Sequence, residues 1–227
     1  MVRDNKMGMR KRGLILANGR PPGKRLLRRL LAESELFVCA DGGANTAAAL
    51  GVRPHLIIGD LDSIRMQTLK RFSSVPARRI ADQNSTDLEK ALTWLIRRSY
   101  SSITVVGATG GRLDHELGNL SAMAKFSRTA IIKFIDDQSE VTYVGNECWF
   151  EAEPGSLVSL IPLSACEGIV TNGLKWELRN ETLELGKRES TSNVVKASPV
   201  NVRVRRGDLL LYRVLAPAAR RPRGRPA

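Results

Sequence analysis

Four aspartates stand where apolar runs stop. Asp41 follows "LFVCA" and precedes two glycines, Asp60 and Asp62 follow "HLIIG", and Asp87 opens a helical stretch after "DQNST". Four carboxylates at one spot would repel one another and raise each other's pKa. A divalent cation removes that conflict, and an all-oxygen ligand set suits Mg²⁺ or Ca²⁺ rather than zinc. Mg²⁺ usually takes one or two carboxylates and leaves its other positions to water and phosphate. All four aspartates therefore need not be direct ligands. In an extended segment residues i and i+2 face the same way, which would turn Asp60 and Asp62 toward one centre.

Phosphate-binding chemistry accompanies the acids. "GATGGR" (107–112) is a glycine-rich link from a strand into a helix, where backbone N–H groups can approach an anion. It is neither a Walker A loop nor a G-x-G-x-x-G fingerprint. Arg112 and Lys90 could each reach phosphate oxygens, although Lys90 could instead pair with Asp87 three residues earlier on the same helix. Asp41-Gly-Gly alone reads as a turn, and Asp87 alone as a residue complementing a helix dipole. What sets the group apart is that one topology would collect all of it.

That topology is legible in the hydrophobic pattern. Apolar runs at 13–17, 36–41, 55–59, 103–107 and 130–135 read as strands. Helical spacing separates them, with Leu27, Leu30 and Leu31 on one face of 24–33 and a short helix at 44–50. The segment 86–97 carries Leu88, Ala91, Leu92, Leu95 and Ile96 at helical spacing, and Thr86 with Glu89 forms a capping box. A further helix is expected to turn Leu113, Leu117, Leu120 and Ala124 inward. Strands apolar throughout and alternating with helices predict a mostly parallel sheet covered on both faces, with ligands at the carboxyl ends of its strands. After residue 138 the pattern changes to short strands separated by Gly, Pro, Asn and Ser, as in an antiparallel sandwich. The expected organisation is a basic, disordered tail over 1–12, an α/β domain over 13–138, a β-sandwich over 139–215 and a second basic, disordered tail over 216–227.

Bulk properties exclude several classes. A chain of 227 residues, 42% hydrophobic and 26% charged, is that of a globular protein. No apolar run approaches the ~18 residues of a membrane span, and the basic N-terminus lacks the apolar region of a secretory signal. The net charge of +13 sits largely in the tails, with five basic residues against one acid in 1–12 and five arginines without an acid in 213–227. Cys39, Cys148 and Cys166 have neither metal-ligand nor disulfide spacing, so reduced thiols in a cytoplasmic protein are expected, at least two of them in the core.

Taken in order, "ADGGANT", "GDLDSI", "DQNSTDLEKAL", "GATGGRLDHELGNL", "GLKW" and "STSN" closely resemble the thiamine pyrophosphokinase family over residues 14–212. The resemblance implies an ATP-binding α/β domain, a C-terminal β-sandwich and a homodimer with thiamine held at its interface. It implies transfer of the pyrophosphoryl group of ATP to the hydroxyethyl oxygen of thiamine, with release of AMP. Mg²⁺ would fall to Asp41, Asp60, Asp62 and Asp87, and the nucleotide to Gln83, Thr86, Lys90, Arg112 and Asp114. Thiamine would fall to Ser190, Ser192 and Asn193, and also to Trp176, unless "GLKW" is a core strand of the sandwich. An aromatic face with hydroxyl and amide groups suits a cationic, flat ligand. Read alone, "STSN" is a polar turn. His115 reads as a helix-start residue orienting Asp114, because phosphoryl transfer needs little help from a base.

Rival readings exist. "IIGDLDS" resembles the Asp-x-Asp of haloacid dehalogenase phosphatases, but there the motif follows the first strand, and here the third. A pterin pyrophosphokinase would keep the aspartates and change the C-terminal substrate loop. "RRPRGRPA" (220–227) contains Pro-Arg-Gly-Arg-Pro, which looks like the core of an AT-hook that sits in the DNA minor groove. A solvated tail is the preferred reading, so no nucleic-acid partner is expected. Met7 or Met9 could equally serve as the start.

Overall fold

The computed structural model describes residues 10–215. The expectations for residues 1–9 and for the AT-hook-like segment lie outside them. The first half of the chain runs β1 (Lys11–Leu16), α1 (Lys24–Glu33), β2 (Leu36–Ala40), α2 (Gly43–Leu50), β3 (Leu56–Gly59), α3 (Met66–Arg71) and β4 (Ala77–Arg79). It continues with α4 (Asp87–Ile96), β5 (Tyr100–Val106), α5 (Leu113–Phe126) and β6 (Ile131–Ile135). Eight strands follow: β7 (Ser139–Val144), β8 (Glu147–Phe150), β9 (Leu157–Pro162), β10 (Cys166–Asn172), β11 (Arg179–Leu183), β12 (Ser190–Val194), β13 (Val200–Arg203) and β14 (Leu209–Val214). Strand β1 begins at Lys11, so residues 11 and 12 belong to the sheet and not to a tail.

Strands β1 to β6 are parallel and lie side by side in the order β6-β5-β1-β2-β3-β4. The chain moves outward from β1 to β4, then returns to the other side of β1 as β5. The strand order therefore reverses at β1, and the crevice outside the carboxyl ends of β1 and β5 is the expected ligand position for such a sheet. Alternate residues serve opposite faces. Leu14 and Leu16 join a core with Leu26, Leu27 and Leu30 of α1 and with Ala44 and Ala47 of α2. Ile15 packs with Leu88, Ala91, Leu92 and Leu95 of α4 and with Ala122 and Met123 of α5. Both faces are covered, which is why these strands read as unbroken apolar runs.

Beyond β6 the sheet does not end. Strand β7 pairs antiparallel with β6, Phe134 opposite Val141, and β14, β9 and β12 extend the same sheet to ten strands. A second sheet, β11-β10-β13-β8, covers that extension. The sandwich core lies between them, with Val144, Leu160 and Leu209 of one layer against Ile169, Leu183 and Val202 of the other. The expected β-sandwich is thus present, but one of its two layers is a continuation of the α/β sheet.

Helix α4 follows the sequence reading closely. Thr86 is its N-cap, the Glu89 N–H donates to Thr86 Oγ1 at 3.2 Å, and the Thr86 N–H donates to Glu89 at 3.0 Å. Helix α5 corrects its reading. Leu113 and Leu117 are 71% and 56% exposed, while Ala122 and Met123 are the buried pair. Leu120 packs against the core as expected, and the inward side runs on through Asn119, Ala122, Met123 and Phe126. Short α3 and β4 were not foreseen, because six and three residues carry too little period to register. Cys39 and Cys166 are buried, Cys148 is half-buried and all three are free. No helix among the described residues is long and apolar enough to cross a membrane.

Candidate active site

A cavity of about 210 Å³ lies at the point of strand reversal. The turn after β1 lines it with Ala17, Asn18 and Gly19, the end of β2 with Asp41, and the start of α4 with Thr86 and Asp87. Its far side is the loop after β5 and the first turns of α5, through Gly111, Arg112, His115, Glu116 and Asn119. The two loops are stitched together, since the Gly19 N–H donates to the Gly107 carbonyl at 2.7 Å and that of Arg20 to Thr109 at 2.8 Å.

Three of the four aspartates meet beside this cavity. Carboxylate oxygens of Asp41, Asp60 and Asp87 all lie within 4.8 Å of one another. Glycine at position 59 makes the approach possible, because a Cβ there would sit 2.7 Å from the Asp41 Cβ and 3.1 Å from an Asp87 oxygen. Asp62 stays outside the trio. It is exposed, its N–H donates to Asp60 Oδ1 at 3.3 Å, and its carboxylate accepts from the Ser63 hydroxyl at 3.0 Å. The expectation that Asp60 and Asp62 face one way required an extended segment. Leu61 between them has φ of 68°, a left-handed turn that sends the second carboxylate elsewhere.

Asp41 is the unusual member. It is 3% exposed, and its Oδ1 is buried with no hydrogen-bond partner. Burial pushes its pKa up, and the Asp87 and Asp60 charges push the same way, against a hydrogen bond from Ser63 and the Gly42 N–H. Lys90 gives the trio partial relief. Its buried ammonium lies 3.0 Å from Asp87, so the ion pair is the arrangement realised here.

The remaining nucleotide candidates behave differently. Arg112 pairs with Asp114 at 2.6 Å in the open, with side chains 76% and 63% exposed, and the guanidinium holds the Asp114 pKa below the ordinary carboxylate value. The backbone N–H of His115 donates to Asp114 at 3.0 Å. Gln83 is exposed, with one long bond of 3.4 Å to the Ala81 carbonyl. The glycine loop is less free than its composition suggests. The Gly111 N–H donates to Glu116 at 2.8 Å, and Asn119 donates to the Ala108 carbonyl at 2.8 Å. Gly107, with φ of 69°, makes the turn itself. Asn18, Ser63, Glu116 and Asn119 were not anticipated. Asn18-Gly19 at a strand end was the only signal among them, and it is indistinguishable from a turn.

The thiamine candidates lie elsewhere. "STSN" is not a turn but edge strand β12, with Ser192 at φ of 55° and its N–H donating to the Ser159 hydroxyl at 3.0 Å. Asn193 is buried and fully engaged. Its Oδ1 accepts the Trp176 N–H at 3.2 Å and its Nδ2 donates to the Trp176 carbonyl at 2.7 Å. Trp176 is not in a core strand. It sits in a bend, 56% exposed, with the Lys175 ammonium 4.6 Å from its ring centre. In the sheet order, seven steps separate β12 from β2, which ends at Asp41. At ~4.8 Å per strand the two lie on the order of 30 Å apart along the sheet.

A carboxylate trio beside a cavity at a strand-reversal point, on a sheet that runs on into an antiparallel sandwich, is what an enzyme of the phosphoryl-transfer class needs. Comparison with known proteins narrows the class. Residues 27–135 match the model of the thiamin pyrophosphokinase catalytic domain, and residues 150–209 that of the thiamin pyrophosphokinase vitamin B1 binding domain. The chain is 32% identical to thiamine pyrophosphokinase 1 of Oryza sativa subsp. japonica, across 83% of this chain and 82% of the relative. It is 31% identical to thiamine pyrophosphokinase of Bacillus subtilis, across 80% and 88%. The solved Bacillus subtilis thiamine pyrophosphokinase superposes with a TM-score of 0.77 at 28% identity, across 90% of this chain and 99% of that one. The chain belongs to the thiamin pyrophosphokinase family.

Proposed function

We propose that the chain transfers the pyrophosphoryl group of ATP to the hydroxyethyl oxygen of thiamine, giving thiamine diphosphate and AMP. The thiamine oxygen forms its bond to the β-phosphorus as the bond from that phosphorus to the α,β-bridging oxygen breaks. AMP leaves with the bridging oxygen, and the hydroxyl proton passes to water. The carrying observation is the buried, partnerless Asp41 Oδ1 facing two further carboxylates at the reversal point of the sheet. Family membership favours thiamine over a pterin alcohol as the acceptor.

An all-oxygen trio with one unsatisfied buried member fits Mg²⁺. Asp41, Asp60 and Asp87 would hold it, with Asp62 alongside. Bound there, the cation supplies neutralisation of the charge on the transferred phosphates. Lys90 offsets the charge of Asp87 and holds its carboxylate in place. Arg112 is the phosphate clamp. Its pair with Asp114 is solvent-exposed and screened, so exchanging that partner for a phosphate oxygen costs little. Thr86 and Gln83 frame the nucleotide from the α4 side, with the Thr86 hydroxyl already committed to capping.

Thiamine is assigned to Trp176, Ser190 and Ser192, with Asn193 fixing the Trp176 backbone rather than touching the ligand. The strand separation within one chain supports a homodimer in which these residues serve the acid trio of the partner. Three unpaired cysteines favour a reducing compartment, and we assign the chain to the cytoplasm. The test is an assay with MgATP and thiamine, read by separating the nucleotides. AMP and thiamine diphosphate in equal amounts are expected; ADP or free phosphate in their place would reject pyrophosphoryl transfer.

A further inference from the structure

Helix α2 begins beside Asp41 and reaches the other acidic loop through a single side chain. Asn45, the third residue of the helix, donates from Nδ2 to the Ser63 carbonyl at 2.8 Å. Its Oδ1 accepts the backbone N–H of Arg65 at 3.0 Å. The two bonds grip the chain on both sides of Ile64, whose side chain is anchored in the core shared with α1 and α2. The loop held in this way is the one that carries Asp60 and Asp62. It also contains Leu61 in a left-handed conformation, which a residue bearing a side chain adopts only where its surroundings over-determine it.

Asp41 and Asp60 sit on separate loops and repel each other. The β2–β3 ladder ends where the Asp41 N–H donates to the Ile58 carbonyl at 2.7 Å, so it fixes the strand ends but not the Asp60–Asp62 loop that follows. We infer that Asn45 is a positioning residue: it keys the Asp60–Asp62 loop to the helix that starts at Asp41, so that the carboxylates meet at one spacing. Without the amide the acidic loop relaxes outward, and a cation must reverse that relaxation in order to bind. This rests on the reading of the trio as a metal site given above.

The test uses Mn²⁺ as a spin probe, with a non-hydrolysable ATP analogue present and thiamine absent, so that no turnover is involved. Asn45→Ala should weaken Mn²⁺ binding about tenfold or more, the range found for groups that orient metal ligands. Its melting temperature in EDTA should stay within a few degrees of the native value, and its KM for thiamine should be unchanged. Arg65→Pro approaches the same contact from the other side. Arg65 has φ of −68°, which is proline's own, so the substitution removes the N–H that Asn45 accepts without bending the chain. Loss of one bond of the two should weaken Mn²⁺ binding about threefold, and adding it to Asn45→Ala should cost nothing more, because both break one contact.

Native Mn²⁺ affinity in an Asn45→Ala protein with a lowered melting temperature would mean that the residue only braces the fold, and the inference would fall. Should Asn45→Ala not fold, native affinity in Arg65→Pro would overturn it equally. Failure of the native protein to bind Mn²⁺ would remove the metal reading, and this inference with it.

Discussion

Replacing Asp41 by asparagine should make the metal-free protein more stable and the enzyme nearly inactive. Asp41 is 3% exposed, one of its oxygens has no partner, and two carboxylates stand no more than 4.8 Å away. An unsatisfied buried acceptor costs about 1–3 kcal/mol. Each like-charge pair at that spacing adds about 3 kcal/mol at an effective dielectric constant near 20. Lys90, 3.0 Å from Asp87, offsets part of this. Asparagine keeps the shape, removes the charge and can donate to a neighbouring carboxylate. A net gain of about 2 kcal/mol in EDTA corresponds to a rise of about 4–8 °C in Tm for a chain of this length. Mg²⁺ should reverse the order, because a ligand stabilises only the form that binds it. The native Tm should climb with Mg²⁺ and the variant's should scarcely move, while turnover falls by about two orders of magnitude or more. The pH dependence follows from the same residue. Its folded pKa is raised above the ordinary 3.8, so its contribution to metal-free stability is lost as pH rises from that value through the raised one. Asp41→Asn should lack that component. Thermal melts in EDTA and in Mg²⁺ decide the matter: a variant that melts below the native protein in EDTA, or that gains as much from Mg²⁺, refutes the reasoning.

Thr86→Ala removes the side-chain half of the α4 capping box and should cost about 1 kcal/mol, seen as a loss of about 2–4 °C in a circular-dichroism melt; an unchanged melt would show that the cap contributes nothing. In the proposed homodimer, Asp87→Asn and Trp176→Ala chains, each impaired alone, should recover about a quarter of native activity when mixed and reassociated, since half the dimers would be hybrids and each hybrid would hold one intact site of two. No recovery despite verified subunit exchange would mean that both residues serve a site within one chain.

The parallel half was readable because its strands are buried on both faces and its best helix carries a complete cap. What escaped the sequence had physical causes. Leu113 and Leu117 continue the spacing of Leu120, which does pack against the core, and periodicity does not say where along a helix the covered side ends. The separation of Asp62 from Asp60 turns on one left-handed leucine, a backbone state for which leucine carries no signal. Asn193 has the residue type of a ligand contact, yet its amide is spent on the backbone of Trp176, a partner seventeen positions away. The acids themselves were legible only as a set, because each alone reads as a turn or helix-start residue and the strand order inferred from the apolar runs collects them at one rim.

The ten-stranded sheet has a consequence for how this enzyme can open. In a protein made of two modules on a linker, a hinge between them usually admits substrate and lets product go. Here the β6–β7 ladder runs through the place where such a hinge would be, with Lys133, Phe134 and Ile135 paired to Thr142, Val141 and Glu140. Bending there would break backbone hydrogen bonds in the middle of a sheet. Breathing within one chain is therefore left to the loops at the strand tips, and in the homodimer proposed above the larger gate would fall to the seam between the two chains. Severing the chain at the same turn would not release two working modules, but two raw strand edges seeking partners.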